Sequence, residues 1–180
     1  MAVRSRMMDA GSVQRSWPRF ELISIESAAT VPRGLVERFN RPGVPRVLVG
    51  GEYAALELAS PVNEFRPHLV AFGSCGLRGR LCVQVDTAAV VHVATPESQI
   101  INPVNATLDK FSDCVRAVID LFPFYTEESE SDEYGRVANE IRRILLAIDD
   151  SALATNGFWE TFTSDVEIGD YTTEDVVGDV

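Results

Sequence analysis

The chain has 180 residues, 46% of them hydrophobic, with a formal net charge of -11. That length fits one compact domain with enough apolar material for a core. No apolar run approaches the roughly 18 residues that span a bilayer, and the basic start Met1-Ala2-Val3-Arg4-Ser5-Arg6 lacks the apolar stretch and cleavage site of a signal peptide, so a cytoplasmic protein is expected. Cys75, Cys82 and Cys114 are odd in number and irregular in spacing, which argues against a disulfide framework or a Cys-x-x-Cys metal pair.

The charge is unevenly placed. Residues 1–80 hold 11 Arg against 7 acids (+4), whereas residues 81–180 hold 5 basic residues against 20 acids (-15). So acidic a half repels nucleic acid and anionic membranes and favours a basic protein partner. All basic residues but Lys110 are arginines, as a GC-rich coding sequence would give.

In chain order, residues 1–19 mix charge, Gly and Ser and read as a frayed or partly helical arm. Phe20 to Ile25 alternates as a short strand. Pro32 suits a first helical turn, Leu35, Val36 and Phe39 recur at helical spacing, and Pro42-Gly43-Val44-Pro45 stops that helix. Arg46 to Val49 reads as a strand ended by Gly50-Gly51, Tyr53 to Leu58 as a second strand or bent edge, and Ser60 to Pro67 as a loop. Three strands follow: Leu69 to Phe72, Leu81 to Val85 and Val90 to Ala94. The first two are joined by the Gly-rich turn Gly73 to Gly79. The last two form a hairpin, antiparallel by necessity, whose glycine-free turn Asp86-Thr87-Ala88-Ala89 favours three or four loop residues over two. Asn105 or Thr107 can cap a helix with Leu108, Phe111, Val115, Val118, Ile119 and Phe122 on one face, ended by Pro123. A Ser-rich acidic loop, Glu127 to Glu133, leads into a helix over about Asp132 to Ile148 that turns Val137, Ile141, Ile144, Leu145 and Ile148 inward. Phe158, Trp159, Phe162 and Val166 mark a short last helix closed by Gly169. Helices with one apolar stripe each cover a sheet, so the expected fold is α+β, an antiparallel sheet with helices on one face. The expected organisation is an arm over 1–19, one domain over 20–168 and an acidic tail over 169–180.

No residue set announces a reaction. Cys75 and His92, with Asp86 orienting the imidazole, would make a nucleophile pair only if the fold assembled them, and Gly73-Ser74-Cys75-Gly76 does not match the Gly-x-Ser-x-Gly elbow. Zinc on Cys75, Cys82 and His92 has no matching ligand spacing. Gly73 to Gly79 lacks the Lys-Ser/Thr ending of a phosphate loop. No cofactor or metal is therefore expected. Phe158 and Trp159, at helical spacing with Phe162, read as core before they read as an exposed anchor. The acids Glu127, Glu128, Glu130, Asp132, Glu133, Asp149 and Asp150 form either a solvated surface or a docking patch for a basic protein.

The order of these segments resembles the SUKH superfamily of Smi1/Knr4- and Syd-like proteins, and within it the bacterial immunity subgroup. The resemblance spans roughly residues 22–159. Leu22-Ile23-Ser24-Ile25 with Ala28-Ala29 is similar to the family's opening strand. The helix ending at Phe39 with Gly43-Val44-Pro45 is similar to its helix and Gly-Leu-Pro element, and Phe72-Gly73-Ser74 to its strand end. Leu81 to Asp86 with Val90-Val91-His92-Val93 resembles its central hairpin, and Val104-Asn105-Ala106-Thr107-Leu108 with Phe111 its Val-Asn-Ser-Ser-Leu helix start. Ile148-Asp149, Ala152-Leu153 and Phe158-Trp159 resemble its C-terminal element. Ala88-Ala89 stand where the family turn carries Thr-Gly, and Pro103 replaces an aromatic residue. The resemblance implies a non-enzymatic protein that binds a cognate toxin, commonly a nuclease or nucleic-acid deaminase, and occludes its active site. A regulatory or scaffold module of the same fold and a small cysteine hydrolase remain the alternatives.

Overall fold

The computed structural model describes residues 17–62, 68–95 and 100–178. Most of the expected N-terminal arm therefore lies outside the described residues, as do the end of the loop read at Ser60 to Pro67 and the last two residues of the tail. A six-stranded sheet runs in the order β2 (Glu26–Ser27), β4 (Ala54–Val62), β5 (Leu69–Cys75), β6 (Gly79–Gln84), β7 (Val90–Val93), β8 (Ile101–Asn105). Its pairings are antiparallel except that β2 lies parallel to β4. A small ribbon joins β1 (Leu22–Ile23) to β3 (Val44–Pro45), with α1 (Arg33–Asn40) between them in sequence. Four helices follow the sheet: α2 (Leu108–Leu121), α3 (Ser131–Ile148), α4 (Phe158–Ile168) and α5 (Thr173–Gly178). The architecture is the α+β arrangement read from the sequence.

Three local readings change. Arg46 to Val49 is not a strand: Val47 makes one isolated bridge to Ala54, and Val49–Gly51 forms a 3-10 turn. Ser60 to Val62, read as loop, continues β4, because Pro61 stands opposite Val70 beyond an irregularity in the register between Ala55 and Ser60. β8 was not foreseen, since Pro103 lies within it. It is the last strand of the sheet, where a residue without an N–H is tolerated. β6 and β7 are joined through five residues, 85–89, with Gln84 N–H bonding Ala89 O across the turn.

The core is an aromatic column between sheet and helices. Phe72 of β5 contacts Phe39 at 6.0 Å, Tyr53 at 6.1 Å and Phe111 of α2 at 5.7 Å between ring centroids. Phe111 continues to Trp159, and Trp159 to Phe162. Trp159 and Phe158 are buried, as their spacing implied. Gly73 belongs to this column rather than to a phosphate cradle: a Cβ there would lie 2.2 Å from the Tyr53 ring. The opposite sheet face carries a second apolar cluster of Leu69, Ala71, Cys82, Val91 and Val93. The segment read as a tail contains α5 and buries Tyr171 and Val177.

Ala88 holds a left-handed φ of 62° at the exposed hairpin tip, where a Cβ costs about 1–2 kcal/mol and glycine's extra chain entropy about 0.5–1 kcal/mol. Ala88→Gly is expected to raise stability by about 0.5 kcal/mol and Ala88→Val to lower it, read as shifts in urea midpoint.

Candidate functional site

The acidic loop is built as a fixed shape. After α2, Phe124 and Tyr125 are buried, and Thr126 and Ser129 close a turn on each other through Ser129 N–H to Thr126 O at 3.0 Å and Thr126 N–H to Ser129 Oγ at 3.2 Å. The Tyr134 hydroxyl donates to Ser129 O at 2.9 Å, and its ring rests 4.5 Å from that of Tyr125. Glu127 N–H donates to the Glu174 carboxylate of α5 at 3.2 Å. Glu127, Glu128, Glu130 and Asp132 are exposed, and Glu133 is half-buried. Glu128, Glu130, Asp132 and Glu133 line one open concavity of about 510 Å³ whose single cation, Arg136, pairs with Glu133 at 3.2 Å. Acids at the start of α3 also suit the positive end of the helix.

The other two acids of the expected set do not join them. Asp149 and Asp150 follow the far end of the 18-residue α3, about 27 Å away at 1.5 Å per residue. Asp150 is exposed, but Asp149 is only 5% exposed and faces inward. Its Oδ2 accepts from Asn105 Nδ2 and Ala106 N–H, both at 2.8 Å, and its Oδ1 from Ser151 N–H at 3.0 Å and Ser151 Oγ at 2.7 Å. Asn105 Oδ1 accepts in turn from Trp159 Nε1 at 2.8 Å. Burial pushes the Asp149 carboxyl up, but these donors outweigh it and hold it below the ordinary carboxylate value. Asp149 is thus an internal tie. The helix cap falls to Thr107, whose hydroxyl accepts from Lys110 N–H at 3.2 Å, and not to Asn105.

The cysteine arrangements do not assemble. Cys82 and Val91 are cross-strand partners on one sheet face, while Leu81 and His92 pair on the other, so Cys82 is separated from His92 by the sheet. Cys75 pairs with Gly79 on the His92 side, and His92 Nε2 lies 2.8 Å from where a Gly79 Cβ would be. No hydrogen bond links Cys75 to His92 among the described residues, and burial, helped by Glu52, pushes the thiol up to about 11, so it keeps its proton. His92 is pushed down by burial. Asp86 lies in the loop at the tip of the hairpin, while His92 stands toward its open end. No group of three or more His, Cys, Asp or Glu residues is placed to hold a metal among the described residues.

A second concavity, of about 690 Å³, was not legible in the sequence. It lies between the 3-10 turn and the α4–α5 junction, with Leu48, Val49 and Tyr171 as buried floor and Glu52, Asp165, Asp170 and Trp17 around it. Its one sequence signal is Gly50-Gly51, both with positive φ, 70° and 75°. Gly50 lets the backbone meet the Tyr171 ring, since a Cβ there would stand 2.5 Å from Cε1.

The family described as SUKH-4 immunity protein matches residues 33–165, from the start of α1 nearly to the end of α4. No curated protein and no solved structure matches the chain. No helix among the described residues is long and apolar enough to cross a membrane.

Removing the Asp149 carboxylate takes the acceptor from Ala106 N–H and leaves buried Asn105 Nδ2 with only its 3.5 Å contact to Cys114 Sγ, so Asp149→Ala is expected to cost about 2 kcal/mol of stability at neutral pH. The folded carboxyl titrates below its unfolded value of about 3.9, so this stabilisation is present above that value and lost as pH falls through the folded one. Chemical denaturation of wild type and Asp149→Asn at pH 7 and pH 3 should show the gap between them narrowing in acid. An unchanged gap would remove the carboxylate's charge from the account.

Proposed function

The chain belongs to the SUKH-4 immunity protein family, and from that premise we propose that it neutralises a cognate toxin protein in the cytoplasm by covering the toxin's active surface. The family implies a partner-binding, non-enzymatic role, and the protonated, unpaired Cys75 thiol agrees with it. The toxin is a basic protein that acts on nucleic acid, a nuclease or a deaminase, because such an enzyme must carry a phosphate-attracting surface. Glu127, Glu128, Glu130, Asp132 and Glu133 stand in for phosphates on that surface.

The observation that carries this reading is the fixed concavity at the start of α3. Four of its lining residues are acids, one cation opposes them, and half-buried Tyr134, packed on buried Tyr125, holds the turn in place. A preformed charged surface loses little entropy when it docks, and its field raises the rate of encounter with an opposite charge. Asp150 contributes to the negative field from the other end of α3, whereas Asp149 is reserved for the interior.

Co-expression with the toxin encoded beside the gene tests the reading: wild type is expected to restore growth. The combined variant Glu127→Lys, Glu128→Lys, Glu130→Lys, Asp132→Lys should slow association with the purified toxin by about tenfold at low salt, with a smaller effect at high salt. Growth that wild type cannot restore would defeat neutralisation. An unaltered association rate in the variant would move the docking surface elsewhere.

A further inference from the structure

We propose that the cleft between the Gly50–Gly51 turn and the α4–α5 junction receives one cationic side chain, arginine or lysine, presented by the partner protein. This rests on the partner-binding reading above and adds to it a second, deeper point of attachment. Part of the cleft lies outside the residues that match the family: Trp17, Asp170, Tyr171 and Asp175 all fall beyond 33–165.

The cleft has the parts such a side chain requires. Its apolar floor of Leu48, Val49 and Tyr171 suits the aliphatic stem of an arginine or lysine. Its wall at Gly51 is bare backbone, since a Cβ there would meet nothing within 4 Å. Trp17 stands at the edge, 51% exposed, with its ring held against Phe122 at 5.5 Å, and offers an indole face to a guanidinium.

The charges around the cleft are unequally satisfied. Glu52 lies near the Tyr171 hydroxyl, which burial first and then this carboxylate push up. The Asp175 carboxylate accepts from Thr172 Oγ1 at 2.5 Å, where it closes the first turn of α5. At the mouth, Arg46 pairs with Glu21 at 2.8 Å, and Arg19, exposed, also lines the cleft, so four carboxylates face two cations there. Asp165 and Asp170 have neither an ion pair nor a side-chain hydrogen bond among the described residues. They stand close enough that Asp170, after burial, pushes the Asp165 carboxyl up. Two carboxylates that repel each other over an apolar floor are complementary to a cation with a long stem. A guanidinium can meet both while stacking on indole, as a neutral side chain of the same shape cannot.

Titration of the full chain with N-acetyl-arginine amide, followed by amide NMR, tests this, with the neutral isostere N-acetyl-citrulline amide as control. Saturable shifts are expected at the Trp17 indole N–H and at Gly50, Gly51 and Asp170, with arginine only. Asp165→Asn combined with Asp170→Asn should weaken the response about fivefold, as expected for a partly exposed ion pair. Gly51→Asn, which keeps a left-handed backbone and adds bulk to the wall, should block it while the spectrum elsewhere stays unchanged. The four-lysine variant of the acidic loop should respond like wild type. Equal shifts with citrulline, shifts confined to 127–133, or no saturable shift would each overturn the proposal. So would a change in sedimentation coefficient for the double variant, which would assign the cleft to a second copy of the chain. So would an arginine response that emerges only after Arg4, Arg6, Arg15 and Arg19 are replaced by alanine, which would assign the cleft to the chain's own N-terminal arginines. These measurements need no toxin, so a failure here and a failure of growth rescue are separate results.

Discussion

A buried carboxylate holds the two halves of this fold together. Asp149 ends α3, Asn105 ends β8, Ala106 leads into α2, and Trp159 opens α4. One chain of hydrogen bonds runs through all four, from Trp159 Nε1 to Asn105 Oδ1 and from Asn105 Nδ2 to Asp149. An ionised group inside a protein costs several kcal/mol unless it is fully bonded. Here both oxygens are occupied, two donors to each. The arrangement is therefore intolerant of displacement: a shift of any one element would strand the charge. Lys110 of α2 reinforces the same corner by donating to the Ile148 carbonyl at the end of α3, where the helix has no basic residue of its own.

That corner sets the positions of the functional surfaces. With the end of α3 tied to β8, its start and the acidic turn before it are carried to the opposite end of the helix, against Tyr125 and the beginning of α5. Arg142 fastens α3 to α4 midway, through Glu167 at 2.6 Å and Thr163 at 3.2 Å. The α4–α5 junction then falls over the 3-10 turn, and the acid-edged cleft exists because those two segments meet without filling the space between them. Both concavities are thus products of how rigid elements were placed, which is the property a surface needs if it is to hold charge in a fixed pattern toward a partner.

The sheet shows why some elements were legible and others were not. Leu69 to Phe72, Leu81 to Val85 and Val90 to Ala94 carry enough branched and aromatic residues to declare themselves, and the short spacing between the last two forces a hairpin. β8 contains Ile101-Asn102-Pro103-Val104-Asn105, a composition that argues against a strand until its position at the sheet edge is known. Ser60-Pro61-Val62 likewise reads as a loop from its proline, and is a strand only because β5 pairs with it through Val62. β2 has two residues and exists only because β4 lies beside it. The acids show the same division. Glu127 to Glu130 form the charged loop that was read, while Asp132 and Glu133 already belong to the first turn of α3; Asp149 looked identical to Asp150 because one-dimensional spacing carries no information about which of two neighbouring carboxylates turns inward.

What the sequence by itself determined was the α+β class, the central hairpins, the amphipathic α2 and α3, the buried Phe158-Trp159 pair and the charge division between the halves. Each follows from periodicity or composition over a handful of neighbouring residues. Tertiary structure alone decided the pairing of β2 with β4 and of β8 with β7, the inward turn of Asp149, the separation of Cys82 from His92 across the sheet, and the cleft built from Trp17, Glu52, Asp165 and Asp170. Those depend on contacts between residues far apart in the chain, whose energies arise only once the elements have packed.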